Sequence, residues 1–389
     1  MNEAIGNVCT HVKGGLDPQK HSTTTFAHYS LPAFDSGVGP VLEYGESIHS
    51  QKTPIPNEVV LVSKLNPRIP RVWYVNDAQV AQRICSTEFV PLQPNRDRLD
   101  GCYLAYALRE ALQGGAIKGN TAAATKSRER AKPTDFLGLK IKLPSIAEQR
   151  RIVDLLLRAE NIVRMRREAE AKAKAIIPAL FVDMFGDPSK STHDRRRWAS
   201  TEAVPFGELG TLDRGRSRHR PRDAAHLYGG NMPFIQTGDV AQAGGVINFH
   251  TQSYSEAGVY QSRVWPKGTL CITIAANIAN TGVLGFDACF PDSVVGFLPG
   301  PRVRTEYIQE WLGFLRPTLE AQAPRAAQKN INLEILRNLK VPVPPIAEQD
   351  RFALRVESVR SLQRSNRGAA GLAARAFESL LAGVFGEEL

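Results

Sequence analysis

The chain carries Pro144-Ser145-Ile146-Ala147-Glu148-Gln149 and later Pro344-Pro345-Ile346-Ala347-Glu348-Gln349, an offset of 200 positions. The same offset maps Leu180 onto Leu380, Phe185 onto Phe385 and Gly186 onto Gly386, with no gap between. An internal repeat this long decides the fold before any single element does. Each copy opens on a helix-start phrase and closes on Phe-Gly. The chain therefore holds two matching long helices, each preceded by a globular module of similar size. In the first copy Ser145 reads as an N-cap, and Glu148 completes a capping box.

Apolar residues follow at spacings dominated by three and four. Ile152, Leu156, Ile162, Ile176 and Leu180 mark the first helix; Phe352, Val356, Val359, Leu380 and Val384 mark the second. Such stripes are packing faces. Pro178 is expected to kink or break the first helix near residue 177, and Gly368 and Gly371 weaken the second. At ~1.5 Å per residue each helix would span roughly 60 Å. Neither stands alone in water, so the stripes are expected to bury on each other. The predicted class is α+β: two mixed α/β modules, the first 1–143 and the second within 188–343 after a polar, Arg-rich linker, separated by two long antiparallel helices, 144–187 and 344–389, in a pseudo-twofold arrangement.

Within the first module, 58–65 and 71–75 read as strands, and Cys102 to Leu112 as a helix ended by Gly114-Gly115. In the second, 269–274, 282–286 and 294–298 read as strands, and Glu306 to Leu315 as a helix stopped by Pro317. The repeat reaches back into the modules. Asp135 to Pro144 matches Ile335 to Pro344, and Leu61 to Asn66 loosely parallels Cys271 to Asn277.

With 389 residues, 42% hydrophobic and 23% charged, the chain is a folded protein of two to three domains. Five scattered cysteines without a Cys-x-x-Cys support neither a zinc ribbon nor a disulfide framework, and fit a reducing, cytoplasmic setting. The first residues carry no secretory signal pattern. No apolar run reaches membrane-spanning length, so no membrane partner is expected.

The net charge of +10 and a pI near 9.4 point to a polyanionic partner, nucleic acid first. The charge is clustered. Lys126, Arg128, Arg130 and Lys132 alternate, as do Arg214, Arg216, Arg218, Arg220 and Arg222; Arg195, Arg196 and Arg197 are consecutive. Two basic modules at a fixed separation suit duplex DNA read in two parts. Arg and Lys would hold phosphates, which positions the protein without reading sequence. Base readout needs Arg, Lys, Asn or Gln at groove edges. The candidates are Lys64, Asn66 and Arg68, then Asn277 and Asn280; the same asparagines also suit turns.

Catalytic signatures are missing. There is no nucleoside-triphosphate loop and no dinucleotide fingerprint. Asn66-Pro67-Arg68 is not the loop that adenine methyltransferases close around a flipped base. The eight histidines show no metal spacing. Glu170-Ala171-Lys172 has a nuclease-like look but sits on a long helix without a strand-borne acidic partner. The chain reads as a reader, not a catalyst. The competing reading is a coiled-coil scaffold whose charge is incidental.

Four stretches resemble the specificity subunit of type I restriction–modification systems. They are Asn231 to Val240 (with Phe234-Ile235-Gln236-Thr237-Gly238-Asp239), Thr273 to Gly282, Phe290 to Phe297, and the doubled Pro-x-Ile-Ala-Glu-Gln phrase, preceded in its second copy by Gln328-Lys329-Asn330-Ile331-Asn332. The resemblance covers nearly the whole chain and implies two target recognition domains, each reading half of a bipartite site. It places Thr237, Lys329 and Asn330 among the DNA-facing candidates. It also implies docking of two modification subunits that bind S-adenosylmethionine and methylate adenine, and of restriction subunits that translocate DNA with ATP and Mg. This chain would itself hold no cofactor. The first module matches less crisply: Phe26 to Asp35 stands where the second has Phe-Ile-Gln-Thr-Gly-Asp.

Overall fold

The computed structural model describes residues 2–77, 82–117, 129–190, 201–275, 278–322 and 331–386. The chain divides into two compact units, residues 1–167 with 368–389, and residues 168–367.

In the first unit, strands Cys9–His11, Phe89–Pro94, Val59–Ser63 and Val72–Val75 lie side by side in that order. A second sheet runs Val41–Tyr44, Thr25–Tyr29, Arg83–Ser86, Lys52–Pro54. Val59–Ser63 is buried at every residue, and its period of two splits it between two cores. Val60 and Val62 join the helix Gly101–Gln113 through Tyr103, Leu104 and Leu108. Val59 and Leu61 face Ala27, Tyr29 and Cys85 of the second sheet.

The second unit repeats this plan. One sheet runs Gly210–Arg214, Val294–Pro299, Leu270–Thr273, Thr281–Leu284, with Gly245–Ile247 added on the far edge. The other runs Gln252–Tyr254, Tyr228–Phe234, Ala288–Cys289, Val264–Trp265. In both units the second strand of this second sheet is parallel to the third and antiparallel to the first. Phe26 to Asp35, as strand then helix Leu31–Ser36, holds the place taken in the second unit by Phe234 and helix Thr237–Gln242. Leu270 and Ile272 face Trp311 and Leu312, while Cys271 faces Trp265 and Phe290.

The helix Thr305–Gln322 runs through Pro317, where sequence predicted a stop. Pro317 has no N–H to offer the carbonyl of Gly313 four residues back, but Gly313 is exposed to water, and Leu319 further on is buried in the core. Packing outweighs the lost bond. The first long helix does break, a little earlier than expected: Ile146–Lys174 ends and Ile176–Phe185 begins. Ala175 N–H donates to Lys172 three residues back, because Pro178 has no N–H for Lys174. The second, Ile346–Phe385, is continuous despite its glycines. Contrary to the sequence reading, one stretch of it is long and apolar enough by composition to cross a membrane. Five of residues 368–376 of this helix are alanine, and Phe377 and Leu381 are buried in the first unit.

Within each unit the long-helix segments pack antiparallel. In the first, Lys142, just ahead of the first long helix, donates to the carbonyl of Gly386 at 2.9 Å, and Arg109 pairs with both Glu160 and Glu378. In the second, Gln363 donates to Ala173 at 2.7 Å and Arg367 pairs with Glu170 at 3.5 Å. Leu156, Phe352 and Val356 are buried in these seams; Ile152, Leu180 and Val359 are half-buried against them, and Val384 is half-buried. Ile162, Ile176 and Leu380 are corrections. They are exposed, and Val163, Ile177 and Leu381, each one position on, are buried instead. Adjacent apolar residues lie about 100° apart on a helix, and spacing does not say which of the two faces inward.

Burial pushes the Cys9, Cys85 and Cys102 thiols up to about 12, and raises Cys271 and Cys289 too. At pH 8 the native chain is expected to resist iodoacetamide at all five cysteines, with five labels per chain after denaturation. Rapid labelling of any one in the native protein would contradict this packing.

Candidate nucleic-acid interface

In the second unit, strand Gly210–Arg214 continues as an extended segment whose side chains alternate. Arg214, Arg216, Arg218 and Arg220 are exposed while Gly215 and Ser217 are buried. The backbone is clamped from below. Gly215 N–H donates to Val294, Arg216 N–H to Phe290, and Ser262 Oγ donates to the Arg216 carbonyl at 2.7 Å. Gln261 Oε1 accepts from the backbone of Arg218 and His219. A Cβ on Gly215 would stand 2.2 Å from the Phe290 carbonyl, so only glycine lets the segment lie this close.

The comb is not uniform. Arg220 folds back onto the carbonyls of Ser217 and His219, both at 2.8 Å, and Arg222 pairs with Asp292 at 2.8 Å. Among the described residues Arg214, Arg216 and Arg218 have no acidic partner, and they are the cations presented to solvent. Beside them Arg263 lies 3.9 Å over the Trp265 ring and pairs with Asp213, as Arg337 also does. Sequence reading missed both arginines, since the pairing is long-range.

Thr237 opens a short helix and is half-buried. Its neighbour Asp239 is buried, caps Gln236 N–H at 2.9 Å and accepts from Thr251. Asn280 serves a turn: its N–H donates to Thr273 Oγ1, and its side-chain oxygen accepts from Arg316 at 2.8 Å. Asn277, Lys329 and Asn330 lie outside the described residues.

In the first unit, Lys64, Asn66 and Arg68 follow strand Val59–Ser63. Lys64 lies near His11 and Lys13: burial first, then those two lysine charges, lowers the His11 pKa. Asn66 adopts φ +49° and donates its N–H to Glu129, and its buried side-chain oxygen has no partner among the described residues. Asparagine tolerates that conformation where branched residues do not. Arg68 is exposed. Lys126 and Arg128 lie outside the described residues; Arg130 is engaged with Glu88 at 2.9 Å.

The doubled phrase acts through its last residue. Glu148 N–H does donate to Ser145 Oγ at 3.3 Å, but the Glu148 carboxylate turns to Arg151, and the second copy has Pro345 at the cap. Gln149 and Gln349 are fully buried. Gln149 donates to the carbonyls of Arg98 and Pro144, and accepts from Asp100 N–H at 2.9 Å. Gln349 donates to Arg302 and Pro344, and accepts from Arg304 N–H at 2.9 Å. Each glutamine therefore ties a long helix to the loop that starts its module's own helix.

A protein-family model for the type I restriction modification DNA specificity domain matches residues 201–366. Residues 201–366 are thus similar to a type I restriction modification DNA specificity domain. That specificity domain takes in the second module and the opening of the second long helix, ending one residue short of the unit boundary at Arg367. A Methanocaldococcus jannaschii protein named as the type I restriction enzyme MjaX specificity subunit is 23% identical over 281 residues. The match covers 70% of this chain, and spans 64% of the relative's length. A chain from a structure of complex assembly and conformational transition in the type I R-M system superposes with TM-score 0.63 at 22% identity, covering 100% of this chain and 98% of that one. The type I S subunit from M. genitalium gives 0.61 at 13% identity, covering 100% and 96%. These likenesses establish the fold that the specificity domain sits in.

Proposed function

We propose that the chain is the DNA-specificity subunit of a type I restriction–modification complex. Its recognition domains are residues 1–143 and 188–343. The long helices, 144–187 and 344–389, hold them in pseudo-twofold relation and set the spacing between two DNA half-sites. The observation that carries this reading is the repeated plan. The same two sheets and the same glutamine tie occur in both modules, and the second module is the matched specificity domain. A scaffold needs the helices but has no use for two such modules.

In this reading Arg214, Arg216 and Arg218 neutralise phosphates, and Lys64, Asn66 and Arg68 contact DNA from the first module. The helices dock two modification subunits, which supply S-adenosylmethionine and the methyl transfer, and restriction subunits join with ATP and Mg. This chain is non-catalytic and acts in the cytoplasm. Co-expression with its modification subunit in cells lacking adenine methylation, followed by mapping of modified adenines, tests the reading. A split motif with a fixed spacer supports it; no methylation by a modification subunit active with another specificity subunit sinks it. Replacing Arg214, Arg216 and Arg218 together by alanine is expected to reduce the slope of log K against log salt by about 2 to 3, at ~0.9 per phosphate contact. An unchanged slope would remove these arginines from the interface.

A further inference from the structure

The second unit holds a cavity of about 290 Å³ whose wall includes Lys174, Gln309, Glu310, Gly313, Arg360 and Arg367. Arg360 is 9% exposed. Among the described residues one of the five N–H donors of its guanidinium is used: Nη2 donates to Gln309 Oε1. Nε is buried with no partner among them. Among the described residues no carboxylate lies within ion-pair distance of Arg360, although Glu306 and Glu310 act on it through space. A buried, donor-rich cation left in this state is costly.

The internal repeat supplies a control. The 200-residue offset pairs Arg360 with Glu160, Ile177 with Phe377 and Pro178 with Glu378. Tyr103 donates to the carbonyl of Lys142 and Tyr307 to that of Pro342, so these tyrosines correspond and Gly313 falls opposite Arg109. In the first unit Arg109 fills the place. It lies 5.3 Å over the Phe377 ring and pairs with Glu160 at 3.1 Å and Glu378 at 3.7 Å. Tyr106 completes the shell by donating to Glu160 at 2.7 Å. In the second unit the plug is gone, since among the described residues nothing lies within 4 Å of where a Gly313 Cβ would stand. The charge at the paired position has also changed sign, from the partly exposed Glu160 to the buried Arg360.

What fits is therefore an anion. Lys174, Arg360 and Arg367 outnumber Glu170 and Glu310 on the wall, and Glu170 is already engaged by Arg367 at 3.5 Å. Burial pushes the Glu310 carboxyl up, against the pull of Arg360, which reduces its repulsion of a guest. Gly244 and Gly245 present bare backbone to Arg367 and Arg360; a Cβ on Gly245 would stand 3.3 Å from Arg360 Nη2. We propose that this cavity binds one phosphate group on Arg360, carried either by a small molecule or by the DNA backbone.

The full chain is titrated with inorganic phosphate by calorimetry at low salt, alongside Arg360→Gln and Gly313→Leu. The leucine adds bulk to the cavity wall at a position where a Cβ meets nothing within 4 Å among the described residues, and retention of the wild-type circular dichroism shows that it folds. Saturable binding by the wild type, weakened tenfold or more in both variants with DNA salt slopes unchanged, assigns a small-molecule phosphate. A slope reduced by about 0.9 in both variants assigns a DNA phosphate. The phosphate arm is independent of the DNA-reading proposal, so the two can fail separately. No phosphate saturation with unchanged slopes, or equal binding by all three proteins, overturns the site. So does binding that survives in Gly313→Leu.

Discussion

Replacing Gln349 by alanine is expected to destabilise the second unit by about 3 kcal/mol. The side chain makes three bonds in a fully buried place: two to the carbonyls of Arg302 and Pro344, one from Arg304 N–H. Truncation leaves those backbone groups without partners, at roughly 1–3 kcal/mol for each that water fails to reach. The loss is concentrated where the long helix meets the loop that caps Thr305–Gln322, so faster hydrogen exchange there should accompany the lower urea midpoint. Gln149→Ala should do the same in the first unit, where the pattern of bonds is identical. A change under about 1 kcal/mol would mean that water replaces the amide and the tie is not structural.

Phe181→Ala is expected to cost about 4 kcal/mol. Phe181 is fully buried and touches four other rings: Phe185, Tyr307, Phe314 and Phe352, with centroids 5.1 to 5.6 Å away. It joins the broken end of the first long helix, the module helix and the start of the second long helix in one core. Phe181→Leu should cost far less, about 1 to 2 kcal/mol. The repeat has already placed a leucine there, since Leu381 is the equivalent residue and is fully buried in the first unit. Urea unfolding followed by circular dichroism checks both, and equal losses for the two variants would refute this account of the core.

Much of the fold was legible because its signals are local and periodic. A strand buried on both faces reads as a continuous apolar run, as Val59 to Val62 do, and a helix packed on one face must repeat every three to four residues. Where two apolar residues adjoin, as at Ile162-Val163 or Leu380-Leu381, the pattern is degenerate, and only the neighbour's position decides. Pro317 failed as a stop for a similar reason: the cost of a proline depends on whether water or packing offsets the lost bond, which is a tertiary matter. Of the candidate site, the alternation at 214–220 was readable from the text. That Arg220 and Arg222 are engaged locally, while Arg214, Arg216 and Arg218 are not, was not readable.

By itself the sequence determined the repeat, its two long helices, the class of its modules and the clustering of its basic charge. These follow from spacing and charge, which one dimension carries in full. Only the tertiary structure decided who serves whom. Phe385, at the end of the second helix, packs on Tyr103 of the first module at 4.9 Å, and Phe185, at the end of the first helix, packs on Tyr307 of the second at 5.1 Å. Each module is thus tied by glutamine to the helix that follows it and closed by the phenylalanine of the other. No pattern along the chain distinguishes that exchange from each helix serving its own module, because the choice rests on which apolar faces meet when the two helices pack antiparallel.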